Sequence, residues 1–368
     1  MPTIADLLTH SNQHFPLSRA ESWDKVGLQI GDANASASKV LLAHEVNDAV
    51  LDEAADFDAL VIYHPLIFRP LDNLNFASHT ARLAARCIRE NINVIALHTA
   101  MDNADPPHAL GDQLAQQLDL KDVKVLSPSG SEALYKVIVF TPPEAMENVS
   151  NAMWEAGAGH IGNYENTSFR ARGVGTFRPL EGSNPYSGKL GELENADEWR
   201  LETIVPEANK NSVINAMLRA HPYEEVAYDV IRLENKNPKS TFGAARSGEL
   251  TKPLTLDQLV LQVQQQLNPP GMRMVRGAKS TFHKVACVPG SGASFIKDAA
   301  NAGCDCLITG DIKHHDALEA QALGLSIIDV THAATETAAV EMMKSTFTAM
   351  PEIEVRIYDK STNPFEHI

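Results

Sequence analysis

The sequence predicts a discontinuous α/β domain with a largely parallel sheet, interrupted by an inserted ferredoxin-like domain. Both ends of the chain alternate short Val-, Ile- and Leu-rich runs with helical stretches of about a dozen residues, the pattern of βαβ units. In the middle, the order changes to two βαβ units around a Gly-, Asn- and Pro-rich stretch, typical of the split βαβ arrangement. We therefore expect residues 1–131 and 238–368 to form one domain and residues 132–237 to form the insert.

The first third contains three predicted strands, each followed by a helix. The strands are "KVLLAHEV", "DALVIYH" and "INVIALH", and the helices lie around "NDAVLDEAADF", "SHTARLAARCIREN" and "HALGDQLAQQLDL". Continuous apolar runs of this kind are typical of parallel strands that are buried on both faces.

The middle segment and the last third continue the alternation. The middle segment begins with the strand "LYKVIVFTP" and the helix "EAMENVSNAMWEAGA", followed by a Gly-, Asn- and Pro-rich stretch with short strands. The strand "EWRLETIVP", the helix "KNSVINAMLRAH" and the strand "EEVAYDVIRL" complete it. The last third has the strands "KVACV", "CDCLIT", "LSIID" and "EIEVRIYD", and the helices "ASFIKDAANAG", "HHDALEAQALG" and "HAATETAAVEMMKSTF". Gly303 and Gly324 stand just past two of these helices, at the usual glycine position of a helix C-terminus.

Composition and charge exclude several classes of protein. The 368 residues exceed one ordinary domain, and 44% apolar with 21% charged residues is typical of a soluble globular chain. A net charge of −16 argues against nucleic-acid binding, which needs a cationic surface. No run approaches the roughly 20 apolar residues of a membrane helix, and the N-terminus lacks the features of a signal peptide. We expect a cytoplasmic protein with no membrane partner.

Polar clusters follow four of the predicted strands, at the edge where open α/β sheets bind ligands. In chain order the clusters are Tyr63-His64-Pro65, His98 with Asp102, Asp311 with His314 and His315, and His332 with Glu336. Because the carboxyl ends of parallel strands meet at one edge of a sheet, we expect these side chains to share one crevice.

The same clusters predict a divalent cation. His332 and Glu336 lie four residues apart and would share one face of a helix, where imidazole and carboxylate suit zinc, iron or manganese. Taken singly, each residue has a structural alternative, such as a capping aspartate or a hydrogen-bonded core histidine. Together, His64, His332, Asp102 and Glu336 would bring like charges close, which requires a cation or a shared proton. One or two metal ions per chain are the simpler interpretation.

Two other motifs favour structural roles. Cys304 and Cys306 lie inside the apolar run "CDCLIT" and are interpreted as small buried residues. "GSGASF" lacks the third glycine of the dinucleotide-binding fingerprint.

Several longer motifs resemble the NIF-three family of dinuclear-metal-centre hexameric proteins, labelled GTP cyclohydrolase type 2 homologues. They are "ESWDKVGLQIGD", "YHPLIF", "ALHTAMDNA", "ITGDIKHHDA" and "IIDVTHAATE", and the middle segment resembles the PII/CutA-like domain of the longer bacterial members. The resemblance implies a homohexamer with metal pairs that face an internal cavity. It also implies that the ligands correspond to His64, Asp102, His332 and Glu336.

The chain departs from the family pattern at Tyr63, where the family has the first of two adjacent histidines, and at Lys25, Glu45 and Asn47. A phenol with a pKa near 10 binds a metal at neutral pH only if the ion lowers that pKa. A phenolate-bound pair, a pair completed by water and a single metal all remain open. We favour one tight and one weak site.

For an enzyme with this ligand set we expect metal-assisted hydrolysis, with His98 as the candidate for proton transfer because an imidazole titrates near neutral pH. The family label implies a nucleotide or a cyclic amide-like small molecule as the substrate. The alternative is a non-catalytic, metal-dependent binding or regulatory hexamer. A third possibility is a scaffold in which the ion only joins subunits.

Overall fold

The computed structural model describes residues 1–366, and for residues 236–240 it describes the backbone alone. The chain folds into two compact units. The larger unit comprises Met1–Gly130 and the chain from Phe242 onward, and the smaller comprises Ser131–Thr241. The sequence placed the divisions after residues 131 and 237, and the second of these falls where no side chain is described. None of the described helices has the length and apolar composition needed to cross a bilayer.

The helices and strands follow the alternation expected from the sequence. The first part of the chain contains α1 (Ile4–His14), β1 (Gly27–Ile30), β2 (Lys39–Ala43), α2 (Asp48–Ala54), β3 (Ala59–Ile62), α3 (His79–Arg89), β4 (Asn93–Ala96), α4 (His98–Asp102), α5 (Leu110–Gln117) and β5 (Lys121–Val125). The middle part contains β6 (Gly130–Thr141), α6 (Met146–Glu155), β7 (Ser168–Phe177), β8 (Glu194–Pro206), α7 (Lys210–Ala220) and β9 (Tyr228–Phe242). The last part contains β10 (Arg246–Thr255), α8 (Leu256–Leu267), β11 (Arg273–Val275), β12 (Thr281–Ser291), α9 (Ile296–Asn301), β13 (Cys306–Gly310), α10 (His314–Ala322), β14 (Ser326–Asp329), α11 (His332–Thr335), α12 (Ala339–Thr348) and β15 (Glu354–Ile357).

The larger unit contains two sheets, in the orders β1-β4-β3-β2-β15 and β11-β14-β13-β12-β10-β5. Each sheet has parallel strands at its centre and antiparallel strands at one or both edges. The expectation of one shared sheet is therefore wrong. The last strand, β15, returns to pair with β2 of the first sheet, and local apolar periodicity does not specify which strands pair.

The strands around the candidate site are buried on both faces. In β3, Leu60 and Ile62 belong to the apolar cluster that includes α2 and α3, whereas Ala59 and Val61 belong to the cluster that includes α1 and α12. Burying each of the larger aliphatic side chains contributes about 1.5–3 kcal/mol. These continuous cores fix β3, so that the residues directly after it are held firmly at the sheet edge.

The stretch predicted as the single helix "HAATETAAVEMMKSTF" is two helices. α11 ends at Thr335, and α12 begins at Ala339. The Thr335 hydroxyl donates to the carbonyl of His332 at 2.6 Å and accepts from the amide of Gly290 at 2.7 Å. Such side-chain bonds compete with regular helix hydrogen bonds, so the helix breaks at Glu336.

A buried ion pair joins the chain segments on either side of the smaller unit. Arg246 of β10 is fully buried, and its Nη2 donates to Oδ2 of Asp112 in α5 at 2.9 Å. Removing one partner of such a pair leaves an uncompensated buried charge. The pair therefore specifies how α5 and β10 pack.

The smaller unit has a sheet in the order β7-β8-β6-β9. β8 pairs antiparallel with both β6 and β7. α6 and α7 cover one face, where Val137, Leu201, Met153 and Met217 form a buried apolar cluster.

Candidate metal centre

His64, His332 and Glu336 meet between the two sheets. His64 lies two residues past β3 of the first sheet, and His332 opens α11 just after β14 of the second. The two Nε2 atoms are 3.4 Å apart, and His332 Nε2 is 3.1 Å from Oε1 of Glu336. His64 Nε2 lies 3.6 Å from the other carboxylate oxygen, Oε2. All three ligand atoms lie within 4.8 Å of one another, close enough for one ion.

The carboxylate of Glu336 fits a cation at this position. Glu336 is 3% exposed, and its Oε2 has no hydrogen-bond partner among the described residues. A buried polar atom left without a partner costs about 1–3 kcal/mol, and more when the group is charged. Two imidazole nitrogens and one carboxylate are ligands that zinc, iron and manganese accept. The donor set therefore suits a divalent cation.

Carboxylates orient both of these histidines through Nδ1. Asp311 lies 2.7 Å from Nδ1 of His332, and Glu45 lies 3.2 Å from Nδ1 of His64. A carboxylate on one ring nitrogen fixes the tautomer and leaves the other nitrogen free to bind a metal. Burial lowers the pKa of His332, but Glu336 and Asp311 outweigh it and raise that pKa to about 9.

Two glycines leave room for these side chains. Gly290, at φ +61°, would place a Cβ 2.5 Å from Oε1 of Glu336. A Cβ on Gly310 would lie 2.5 Å from the amide nitrogen of His332. The glycines of "GSGASF" and "ITGD" thus allow the second sheet to approach the ligand pair.

The turn before α11 is strained. Thr331 has φ +75° and ψ 154°, a conformation that β-branched residues rarely adopt and that costs about 1–3 kcal/mol. Asp311, which bonds to His332, also has a positive φ, of 58°. Strain of this kind persists only where the surrounding structure imposes it, and here it places the imidazole of His332 beside Glu336.

Asp102 and Tyr63 bond to each other instead of joining this group. The Tyr63 hydroxyl donates to Oδ1 of Asp102 at 2.8 Å, and both residues are buried. Burial and the charge of Asp102 raise the pKa of Tyr63 well above 10, so the phenol keeps its proton. Burial and the charge of Glu336 raise the pKa of Asp102 to about 7, against the opposing effects of His98 and Tyr63. Asp102 lies on the wall of the same cavity as His64 but belongs to neither group of mutually close ligands among the described residues.

His98 also lines this cavity and is oriented by Asp24. Its Nδ1 lies 2.9 Å from Oδ2 of Asp24, an oxygen that also accepts from the Thr99 amide and hydroxyl. Burial lowers the pKa of His98, but Asp24 and Asp102 outweigh it and raise that pKa above its ordinary value. His98 has φ +24°, outside the usual range for a side-chain-bearing residue.

The cavity has a volume of about 780 Å³. The candidate ligands and His98 line it together with Gly290, Ser291 and Ser294. Trp23 and Phe68 stand at the wall half-exposed, with ring centroids 5.7 Å apart. The volume and the aromatic wall suit a small molecule.

Of the other residues singled out in the sequence, only Asp311 lies at the site. Asp311 bonds to Nδ1 of the candidate metal ligand His332. His314 and His315 are exposed at the start of α10 and belong to neither of the two possible metal-binding groups among the described residues. Cys304 and Cys306 are buried free thiols, as expected of small apolar residues. Burial raises the pKa of Cys304 to about 11.

His44 and Asp24 lie at the site although neither was predicted as a site residue from the sequence. His44 directly follows β2, and in the parallel register of β2 with β3 it lies beside Tyr63. The signal for His44 is its position directly after a strand, which it shares with the predicted polar clusters. Asp24 follows no strand, and only its place in the motif "ESWDKVGLQIGD" pointed to it, because it lies in a loop far from His98 in sequence.

Comparisons with known proteins match nearly the whole chain. The family model Duf34/NIF3 (NGG1p interacting factor 3) matches residues 2–364. A Bacillus subtilis (strain 168) protein named GTP cyclohydrolase 1 type 2 homolog is 38% identical over 360 residues, 96% of this chain and 95% of that protein. A Staphylococcus aureus (strain MRSA252) protein of the same name is 32% identical, over 99% of this chain and 100% of that protein. The crystal structure of a Bacillus cereus protein related to NIF3 superposes with a TM-score of 0.85 and 36% identity, covering 100% of this chain and 99% of that one.

Proposed function

Because the chain belongs to the Duf34/NIF3 (NGG1p interacting factor 3) family, we propose that it is a divalent-cation-dependent hydrolase of a small molecule. The observation that carries the proposal is the meeting of His64, His332 and Glu336 at the wall of a 780 Å³ cavity, where Oε2 of Glu336 has no hydrogen-bond partner among the described residues. The relatives' name, GTP cyclohydrolase 1 type 2 homolog, favours a nucleotide or a cyclic amide-like molecule as the substrate.

His64, His332 and Glu336 would hold the ion. Asp102 would add a ligand through the carboxylate oxygen that Tyr63 does not bond, while the phenol of Tyr63 orients the other oxygen. A bound divalent cation lowers the pKa of water and polarises carbonyl groups. Zinc, iron and manganese all suit these donors, with one or two ions per chain.

His98 would transfer the proton. If Nδ1–H donates to Asp24, the lone pair on Nε2 is free to accept a proton from a reactant in the cavity. Asp24 is itself held by the Thr99 amide and hydroxyl, so the ring orientation is fixed before a substrate enters. Trp23 and Phe68 would contact a planar part of the substrate.

We also propose that the smaller unit is a ferredoxin-like, PII/CutA-like module and that the chain assembles as a cytoplasmic homohexamer. The sheet order β7-β8-β6-β9 with two helices on one face supports the module. Four buried, unpaired cysteines are in keeping with a reducing compartment. The mass of the particle in solution tests the assembly.

The test compares cation binding and turnover in matched variants. Chelator-stripped wild type, Glu336→Gln and the control His315→Ala are dialysed against zinc, manganese or iron(II), and bound metal is counted. At a free cation concentration a hundred times Kd, the ion should stabilise the wild type and the control by about 2.7 kcal/mol, seen as a raised melting temperature. Glu336→Gln should lose both the ion and this stabilisation.

Turnover separates the two candidate roles. Metal-loaded wild type is incubated with nucleotides and cyclic amides, and products are followed by chromatography. Hydrolysis that Glu336→Gln lacks supports the enzyme. Tight metal binding without turnover of any of them would favour the regulatory alternative, and full metal retention in Glu336→Gln would refute the proposed centre.

A further inference from the structure

We propose that the 780 Å³ cavity beside His98 selects an uncharged planar cyclic amide, such as a nucleobase or a nucleoside, and discriminates against its phosphorylated form. The inference rests on the proposed function, because it takes this cavity as the substrate site. It narrows the substrate class to uncharged molecules and assigns specificity to Trp23, Phe68 and Glu21.

The wall of the cavity carries acidic groups and, in the part of the chain that the structure describes, neither lysine nor arginine. Its carboxylates are those of Glu21, Asp102 and Glu336. One divalent cation held by Asp102 and Glu336 would balance their two charges and leave that of Glu21. If His98 is protonated, Asp24 balances its charge from 2.9 Å away. The wall therefore keeps negative charge even with one ion bound.

A phosphate group has few partners on such a wall. Proteins bind phosphate mainly with guanidinium, ammonium or free backbone amide groups. Near the cavity, the amide of Gly290 already donates to the Thr335 hydroxyl at 2.7 Å, and that of Phe295 to the Gly292 carbonyl at 3.0 Å. A phosphomonoester carries about 1.5–2 negative charges at pH 7 and would be repelled by the Glu21 carboxylate.

Lys25, although close to Trp23 in sequence, does not supply the missing cation. It lines a separate cavity of about 460 Å³.

Trp23 and Phe68 offer a surface for a planar ring. Both side chains are about half exposed, and their ring centroids lie 6.0 and 6.3 Å from that of His98. A planar ligand stacked on either ring would displace water from it, and every heterocyclic base has a π face for such stacking, whatever its substituents. Stacking would also place the ligand next to His98, the proposed proton-transfer group.

Ser291 and Ser294 supply uncharged hydrogen-bonding groups. Both residues are exposed and line the same cavity. A hydroxyl both donates and accepts, so it can bind the N–H or the carbonyl of a cyclic amide. The polar lining therefore suits an amide edge better than a phosphate.

The experiment compares guanosine with GMP, which share a base and differ in the phosphate. Full-length protein, with and without zinc, is titrated with each in a calorimeter, and uracil serves as a second uncharged cyclic amide. We expect guanosine to bind at least about tenfold more tightly than GMP in both states. Equal or tighter binding of GMP, or binding of neither guanosine nor uracil, would overturn the inference.

The two zinc states separate this inference from the proposed function. A preference for guanosine in protein that binds no zinc would sink the proposed centre and leave the selectivity standing. Zinc binding and hydrolysis together with a preference for GMP would do the reverse.

Trp23→Ala tests the aromatic surface. It should lower the affinity for guanosine by about tenfold, whereas the control Phe76→Ala, an exposed ring outside the cavity, should not change it. Trp23→Leu keeps an apolar side chain without a π face and replaces the alanine variant if that variant misfolds. Unchanged guanosine affinity in a folded Trp23 variant would contradict the assignment.

Two variants test the charge of the wall. Glu21→Gln removes one negative charge but keeps an acceptor for Asn103, whose Nδ2 donates to Oε1 of Glu21 at 3.1 Å. Ser291→Lys adds a cation to the lining. Both should raise the affinity for GMP more than that for guanosine, and Ser291→Lys by about tenfold. An unchanged ratio of the two affinities in folded Ser291→Lys would show that charge does not set the selectivity.

Discussion

At the scale of single residues, three histidines around the cavity each have a carboxylate on Nδ1. Asp311 pairs with His332, Glu45 with His64 and Asp24 with His98. In each pair the carboxylate leaves Nε2 for a metal or a proton. Asp24, Glu45 and Asp311 can therefore orient the histidines without touching a substrate.

Cation affinity should depend on pH through His332. Because its pKa is raised to about 9, His332 is protonated near pH 7 in chelated protein, and an ion must displace that proton. Affinity should therefore rise with pH, by about tenfold per unit for each proton displaced, between pH 6 and 8. Competition with a chelator of known affinity measures this slope.

Asp311→Asn is the matched variant for this prediction. Without the Asp311 charge the pKa of His332 falls, so the slope should become shallower and fewer protons should be released on binding. A slope that is flat in the wild type, or equal in the two proteins, would contradict the assignment of His332 as a ligand.

The residues that the sequence could identify are those whose signal is local. His64 stands before Pro65 at a strand end, and His332 and Glu336 have helical spacing. Asp24 and His44 depend on which segments become neighbours in the fold, and that information is not local. Tyr63 was recognised as a departure, but its bond to Asp102 required coordinates.

At the scale of elements, the site is built from turns after β3, β12, β13 and β14. The predicted βαβ pattern located most of these elements because aliphatic runs and helical periodicity are strong signals. The break between α11 and α12 was not predicted, because it depends on the Thr335 hydroxyl, which accepts from the Gly290 amide and donates to the His332 carbonyl, rather than on a breaker residue. The family predicted from the motifs is confirmed.

Gly290→Ala tests the C-terminal end of β12. Its Cβ would lie 2.5 Å from Oε1 of Glu336, so we expect cation affinity to fall by at least about tenfold, roughly 1.4 kcal/mol. Gly303→Ala is the control, since Gly303 also has positive φ, at 73°, but has open space around its Cβ position. Both variants lose about 1 kcal/mol of stability from the backbone conformation.

Calorimetric titration with zinc measures cation affinity separately from the loss of stability. Equal cation affinity in the two folded variants would show that Gly290 does not make room for the carboxylate.

At the scale of the whole molecule, the smaller unit is inserted where two chain segments already lie side by side. The amide of Ser129 donates to the carbonyl of Phe242 at 2.9 Å. Replacing residues 131–241 by a Gly-Ser linker of about six residues should therefore leave the larger unit folded, because a short loop closes these ends at little entropic cost.

The shortened protein should bind zinc with the affinity of the full chain, because His64, His332 and Glu336 all lie in the larger unit. Circular dichroism measures whether the shortened protein is folded, and metal counting measures the zinc that it binds. An unfolded product would contradict the independence of the larger unit, and a folded product without zinc would mean that the smaller unit is required for the centre.

The candidate metal ligands lie far apart in the sequence, so they are synthesised at different times. His64 leaves the ribosome early, whereas Glu336 emerges only after some 270 further residues have been translated. Throughout that interval the smaller unit can fold, since domains generally fold as units while the nascent chain grows. A ribosome-bound or prematurely terminated polypeptide that lacks Glu336 cannot complete the proposed group of His64, His332 and Glu336, so an ion held by this group would mark nearly finished translation.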